Sequence, residues 1–453
     1  MTQQNAAAAP HDQAQRTKLA RRAAVASLVG TAVEWYDYFI FGTASALVFG
    51  RLFFPSDGDP IYGTLAAFAV FGVGFFARPL GGVVFGHFGD KFGRKAALIT
   101  TLMMMGIATF LIGLLPTTDQ IGILAPILLV FLRLVQGFGV GGEWGGAALV
   151  AVEYAPEGKR GAYGSFPQIG NAIGLVMSTT IFALVSMLPD EQLLSWGWRV
   201  PFLLSIVLIG VGLFIRFKLT ETPTFQAAQE ELEAKAEAEK PKERMPLAEL
   251  FRRFKKPLLL AMGMRFGEAV FGYIILTIGL TFATNYTNID GTNVLWASTI
   301  AAAIAIYTYY FFGKLSDRIG RRPVFILGSV VGALVSFPFF WILAADNIVL
   351  MYIAYAIAYA IGVGAVYGVE PSFFSELFGT KVRYTGVSLA AQIPSVLIGL
   401  WPFAATAIFA ATGGDPWPIA LITVIALIIG GLCAYLAPET NKADMTKVGE
   451  EKP

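Results

Sequence analysis

Gly86-His87-Phe88-Gly89-Asp90-Lys91-Phe92-Gly93-Arg94-Lys95 closes one long apolar run and opens the next. A relative of this stretch, Gly313-Lys314-Leu315-Ser316-Asp317-Arg318-Ile319-Gly320-Arg321-Arg322, returns between two apolar runs of the second half. The glycines permit a tight reversal, and the Asp of each copy suits a helix cap or a neighbouring base. The Lys/Arg cluster carries the charge bias that keeps a short loop on the cytoplasmic side of a membrane. One such loop is common between membrane helices. Two copies in matching places read as two homologous halves.

Composition agrees with a membrane chain. Only 14% of the 453 residues are charged and 56% are hydrophobic, whereas about a quarter of an ordinary soluble domain is charged. Apolar runs of about 20 residues, the length a spanning helix needs, recur along the chain. They place six spans near 23–50, 62–87, 95–115, 121–147, 163–188 and 199–218. Six more fall near 257–284, 294–315, 323–343, 348–375, 384–411 and 418–437. The expected fold is all-α and polytopic, with twelve transmembrane helices in two pseudo-symmetric six-helix bundles, 21–218 and 257–437. Residues 1–20 read as an unstructured polar tail, 219–256 as a charged linker with a surface helix, and 438–453 as a second tail. No short apolar region with a cleavage site precedes the first span, so no cleavable signal peptide is expected. A lone Cys433, and His11 and His87 without companions, argue against a disulfide framework, a metal site or a bound cofactor.

Bases concentrate in the N-terminal tail and the even-numbered connections: Lys91/Arg94/Lys95, Lys159/Arg160, Lys314/Arg318/Arg321/Arg322 and Lys381/Arg383. The odd-numbered connections hold acids, such as Asp57, Asp119, Asp190 and Asp290. By the positive-inside rule both termini are cytoplasmic, in a bacterial-type plasma membrane.

Charges inside a membrane are costly and mark function by default. Glu34 and Asp37 fall about halfway along the first span, three residues apart and so on one helix face. Arg133 lies midway in the fourth span, and Arg265 and Glu268, again three apart, midway in the seventh. Three acids oppose two bases at one depth, and a single proton on a carboxylate would balance the set. With no histidine inside a span, a carboxylate must carry that proton. Arg265 and Glu268 also read as a self-satisfied pair that only stabilises its helix. Arg78, Glu143, Glu153 and Glu376 sit nearer span ends, where such residues anchor loops, and Glu370 lies deeper. Tyr36 neighbours the acidic pair, and Tyr352, Tyr355 and Tyr359 share a helical spacing that could line a cavity. Gln168, Asn171 and Gln392 are polar groups within spans.

Glu34-Trp35-Tyr36-Asp37-Tyr38, Phe76-Ala77-Arg78-Pro79-Leu80-Gly81-Gly82, Arg133-Leu134-Val135-Gln136-Gly137 and Trp196-Gly197-Trp198-Arg199-Val200-Pro201-Phe202 extend the pattern of the two loops. Together the chain resembles the metabolite:proton symporter family of the major facilitator superfamily, over about 20–440. Family members carry shikimate, α-ketoglutarate, citrate, proline or betaine, and the likeness is strongest to those that carry shikimate. The resemblance implies uptake of a small anionic solute with protons by alternating access, by a monomer that binds no nucleic acid and catalyses no reaction. Carried onto this chain, it makes Asp37, with Glu34, the proton carrier and Arg133 the group that senses its charge. Arg133, Arg265, Glu268, Tyr36, Gln168, Asn171, Tyr355, Tyr359 and Gln392 would contact the solute. Gly86, Asp90, Gly93 and Arg94, with Gly313, Asp317, Gly320 and Arg321, would form a conformational latch. An osmolyte permease, an exporter of aromatic compounds and a metabolite sensor that does not transport are the competing readings.

Overall fold

A computed structural model of the chain describes residues 10–55, 59–92, 94–141, 143–218, 246–379, 382–443 and 445. The linker residues 219–245 and Gly93 lie outside that set, as do the side chains of 86–98. Twelve helical segments organise the rest. The first six are α1 (Pro10–Ala44), α2 (Ile61–Phe92), α3 (Arg94–Leu114), α4 (Leu124–Glu153), α5 (Arg160–Ser186) and α6 (Asp190–Phe214). The second six are α7 (Lys255–Tyr286), α8 (Gly291–Ile319), α9 (Arg321–Ala344), α10 (Ile348–Leu377), α11 (Arg383–Thr412) and α12 (Trp417–Leu436). All but α1 and α3 are long and apolar enough to cross a membrane; α3 holds a shorter apolar stretch, Ile99–Leu114.

The polar start of the chain departs from expectation, because α1 begins at Pro10 rather than near residue 21. Proline suits the first helical position, and the Gln, Ala, Arg, Lys and Leu that follow are strong helix formers. The span at 62–87 also runs longer as a helix, to Phe92, so the first basic loop turns only after it.

The two halves repeat each other. Within the first, α5 packs along α1 and α4 along α2; within the second, α11 packs along α7 and α10 along α8. Across the halves, α5 lies against α8 and α2 against α11. Exchanging the halves maps one seam onto the other, as a pseudo-two-fold requires. The outer surface is apolar, with Phe131, Leu334, Trp341, Leu397 and Leu432 exposed, while Glu34, Asp37, Arg133, Glu268 and Glu370 are buried. This inversion of the soluble pattern is what a lipid solvent selects.

Small residues bring the α5–α8 seam together. A Cβ on Gly313 would lie 2.5 Å from the Gly161 carbonyl oxygen and 3.0 Å from Ser165 Cβ. At the other end of the same seam, Thr179 Oγ1 and Thr299 Oγ1 share a 2.7 Å hydrogen bond. Gly313→Val should wedge the seam open and abolish transport while the protein still inserts in the membrane. Uptake and surface expression measured together check this, and normal uptake would show the contact to be dispensable.

Candidate functional site

The buried charges gather around two adjoining cavities. The first lies within the N-terminal bundle, walled by Glu34, Asp37, Arg78, Met105, Arg133 and Gln136. The second lies between the bundles, with α1, α2 and α5 on one side and α7, α8, α10 and α11 on the other. Trp35, Tyr38 and Arg78 line both, so they form the partition. A cavity between pseudo-symmetric halves is the expected place for a small solute.

In the first cavity α1 sets Glu34 and Asp37 about one turn apart, 6% and 3% exposed. Asp37 Oδ1 is buried without a hydrogen-bond partner. Arg133 is bonded to neither acid in this arrangement. Its Nε donates to the Phe71 carbonyl oxygen at 3.2 Å and its Nη1 to Gln136 Oε1 at 3.2 Å. Its guanidinium lies over the rings of Phe41 and Phe71, 4.4 and 4.7 Å from the centroids. Glycine explains the placement: a Cβ at Gly74 would sit 2.8 Å from Arg133 Nε, so only glycine lets α2 accept the side chain. Gln136 Nε2 in turn donates to Thr109 Oγ1 at 2.7 Å.

In the second cavity Arg265 Nη1 donates to Glu268 Oε2 at 2.8 Å and to Glu370 Oε2 at 3.0 Å. Glu370 is fully buried. One guanidinium therefore holds two carboxylates, and the trio carries one negative charge in excess when all are ionised. Tyr367 faces Arg265, 5.5 Å from ring centroid to Cζ, and Trp35, Tyr38, Tyr273, Tyr309 and Tyr359 complete an aromatic wall. Tyr359 donates to Asn171 Oδ1 at 3.4 Å across the halves. Both α7 and α10 widen into π-helical turns here, at Ile274–Ile278 and Ala356–Val363. Such turns recur at functional sites because they rotate side chains out of register.

That rotation separates residues whose spacing had placed them on one face. Tyr359 reaches the cavity, but Tyr355 precedes the wide turn and packs 5.0 Å from Phe339. Tyr36 points away as well, its hydroxyl donating to the Pro201 carbonyl oxygen at 2.7 Å. Gln392 accepts from Ser395 Oγ at 3.2 Å and leaves the cavity wall to that serine. Gln168 sits on the seam, donating from Nε2 to the Tyr367 carbonyl oxygen at 3.0 Å.

The second basic loop forms a network where the halves meet. Asp317 accepts from the backbone N–H groups of Gly161 and Ala162, at 2.7 and 3.0 Å, and so caps α5 of the other half. Arg321 Nη1 donates to the same carboxylate at 2.8 Å. Its Nε and Nη2 each donate to Glu376 at 3.0 Å. Glu376 lies 3.8 Å from Arg160 of the first half, and Arg383 pairs with Glu153 at 3.2 Å. Gly320, at φ +108°, gives the turn between α8 and α9 its left-handed residue. The matching side chains of Asp90 and Arg94 lie outside the described residues.

A family model described as "Sugar (and other) transporter" matches residues 22–451. The chain belongs to that family. A shikimate transporter of Escherichia coli (strain K12) is 42% identical over 94% of this chain and 96% of its own length. A proline/betaine transporter of the same strain is 35% identical, covering 90% and 81%. Among solved structures, that of the major facilitator superfamily proton:xylose symporter XylE superimposes with a TM-score of 0.71 at 18% identity, over 96% of this chain and 99% of that one. The likeness to XylE is one of fold, and it agrees with the two six-helix bundles.

For this member of the transporter family, sequence reasoning overlooked Arg78 and Gln136. Arg78 was read as a loop anchor near a span end. The helix in fact continues to Phe92, which places Arg78 between the two cavities. Gln136 stands three residues after Arg133, the spacing that lets one side chain orient the other, and that signal was readable.

Proposed function

We propose that this protein is a proton-coupled symporter that imports a small organic acid, shikimate or a related hydroxylated carboxylate, by alternating access. The observation that carries the reading is the pair of cavities with a common wall. Asp37, buried with an unpartnered oxygen, borders a chamber that shares a wall with the cavity between the bundles. Asp37 is the proposed proton carrier, with Glu34 beside it, and Arg133 and Gln136 shape their chamber. Glu268, Asn171, Tyr359 and Tyr367 are proposed to face the solute. The charge bias supports a cytoplasmic side for the loop network and both termini. Asp317, Arg321 and Glu376 would then hold that side shut until the halves rock.

A second reading has one specific observation behind it. Tyr38, Tyr273, Tyr309, Tyr359 and Tyr367 around the Glu268 carboxylate would also suit a quaternary ammonium group, as in betaine.

Proteoliposomes carrying the purified protein test both. Addition of shikimate should alkalinise the outer medium, and a protonophore should abolish the signal. A response to betaine and none to shikimate would favour the second reading. Substrate uptake without proton movement would reject symport.

A further inference from the structure

We propose that Arg78 is the residue that takes the carboxylate of the transported solute, and that the solute carries only one carboxylate. This rests on the organic-acid reading above and narrows it. Three arginines border the cavities, and two are already engaged. Arg265 is bonded by Glu268 and Glu370, and Arg133 by the Phe71 carbonyl and Gln136. Arg78 differs: among the described residues no protein hydrogen bond engages it, its contacts are the rings of Phe75 and Tyr38, 4.1 and 5.5 Å from the centroids, and Glu34 is its acidic neighbour in the shared chamber wall. A guanidinium has five N–H donors in one plane. Ring contacts satisfy none of those donors, which leaves them available to a planar acceptor. A carboxylate meets them with two parallel bonds.

The opposite wall sets the rest of the solute. Glu268 stands there, part of a trio with two carboxylates and one guanidinium, so a second carboxylate on the solute would meet repulsion. Trp35 Nε1 and the Tyr367 hydroxyl line the same cavity, buried without hydrogen-bond partners. Hydroxyl groups on the solute would satisfy them, as buried polar groups require. Because Arg78 also borders the Asp37 chamber, an anion bound on it and a proton bound there attract each other, which is the sign of coupling symport needs.

The test uses the full chain in detergent, with binding measured calorimetrically for shikimate, its methyl ester and α-ketoglutarate. The wild type should prefer the acid to the ester by about tenfold to a hundredfold, the range for hydrogen bonds to a charged group. In Arg78→Gln that preference should fall to about one, with ester affinity unchanged. Arg78→Lys, which keeps the charge without the fork, should fall between, and its thermal stability shows that the fold persists. A full acid preference in Arg78→Gln would overturn the clamp and leave the organic-acid reading intact. A wild type that prefers the ester would overturn both. Binding of α-ketoglutarate as tight as that of shikimate would overturn the single-carboxylate limit.

Discussion

Asp37→Asn abolishes uphill accumulation and leaves exchange running. Asparagine keeps the shape of the side chain but cannot take up and release a proton. One pH unit is worth about 1.4 kcal/mol per proton, so a one-proton symporter should concentrate its solute about tenfold per unit. In Asp37→Asn that ratio should fall to about one whatever gradient is imposed, while counterflow of labelled for unlabelled solute persists. The reason is geometric. Asp37 lies in the chamber of α1–α4, which shares Trp35, Tyr38 and Arg78 with the cavity between the bundles but is not part of that cavity's lining. Removing the titrating oxygen therefore need not remove a solute contact. Paired measurements in proteoliposomes, accumulation under a pH jump and counterflow at symmetric pH, decide it. Normal accumulation by Asp37→Asn would end the assignment. The same pattern in Glu34→Gln alone would move the proton one turn along α1.

The fold was legible because its signals are collective. Among the described residues ten helices meet the length and hydropathy a span needs, and the repeated loops around Asp90 and Asp317 announce the duplication. The site was legible in part. Asp37, Glu34, Arg133, Arg265 and Glu268 were found by their cost, since charge in a span is rare enough to be conspicuous. The Arg265–Glu268 pair was legible from its three-residue spacing, but the partners of Arg133 were not, because they depend on which helices a glycine lets approach. Gly74 admits Arg133 to the Phe71 carbonyl, and no spacing within α4 encodes that. The tyrosines failed differently. Tyr355 and Tyr359 share a face only on a regular helix, and the wide turn beginning at Ala356 breaks the register between them. Arg78 was set aside as a loop anchor near the end of a span drawn to residue 87, whereas the helix runs on to Phe92 and leaves Arg78 well inside it.

Glu376→Gln opens the face that the basic loops close. Glu376 is 1% exposed, accepts two bonds from Arg321, accepts a third from Thr440 Oγ1 at 2.8 Å and lies 3.8 Å from Arg160 of the other half. Glutamine removes its charge at nearly constant volume. Arg321 then keeps Asp317 and Ser316 as partners, while Arg160 loses its nearest carboxylate. Breaking a buried ion pair from one side costs about 3 kcal/mol or more. That cost falls on the closed arrangement, where these groups are out of water, and much less on an open one that hydrates them. A bias of that size shifts a two-state equilibrium by about a hundredfold. Spin labels on cysteines at the exposed positions Glu157 and Arg318, in a Cys433→Ser background, report the gap between α5 and α8. The variant should replace a short-distance population by a longer one, and uptake should slow because return to the closed state becomes the unfavourable step. Restoring the closed population needs a ligand or a second change that favours it, such as solute bound in the cavity between the bundles. An unchanged distance distribution in Glu376→Gln would show that Asp317 and the Gly161–Gly313 contact hold this face without the buried pair.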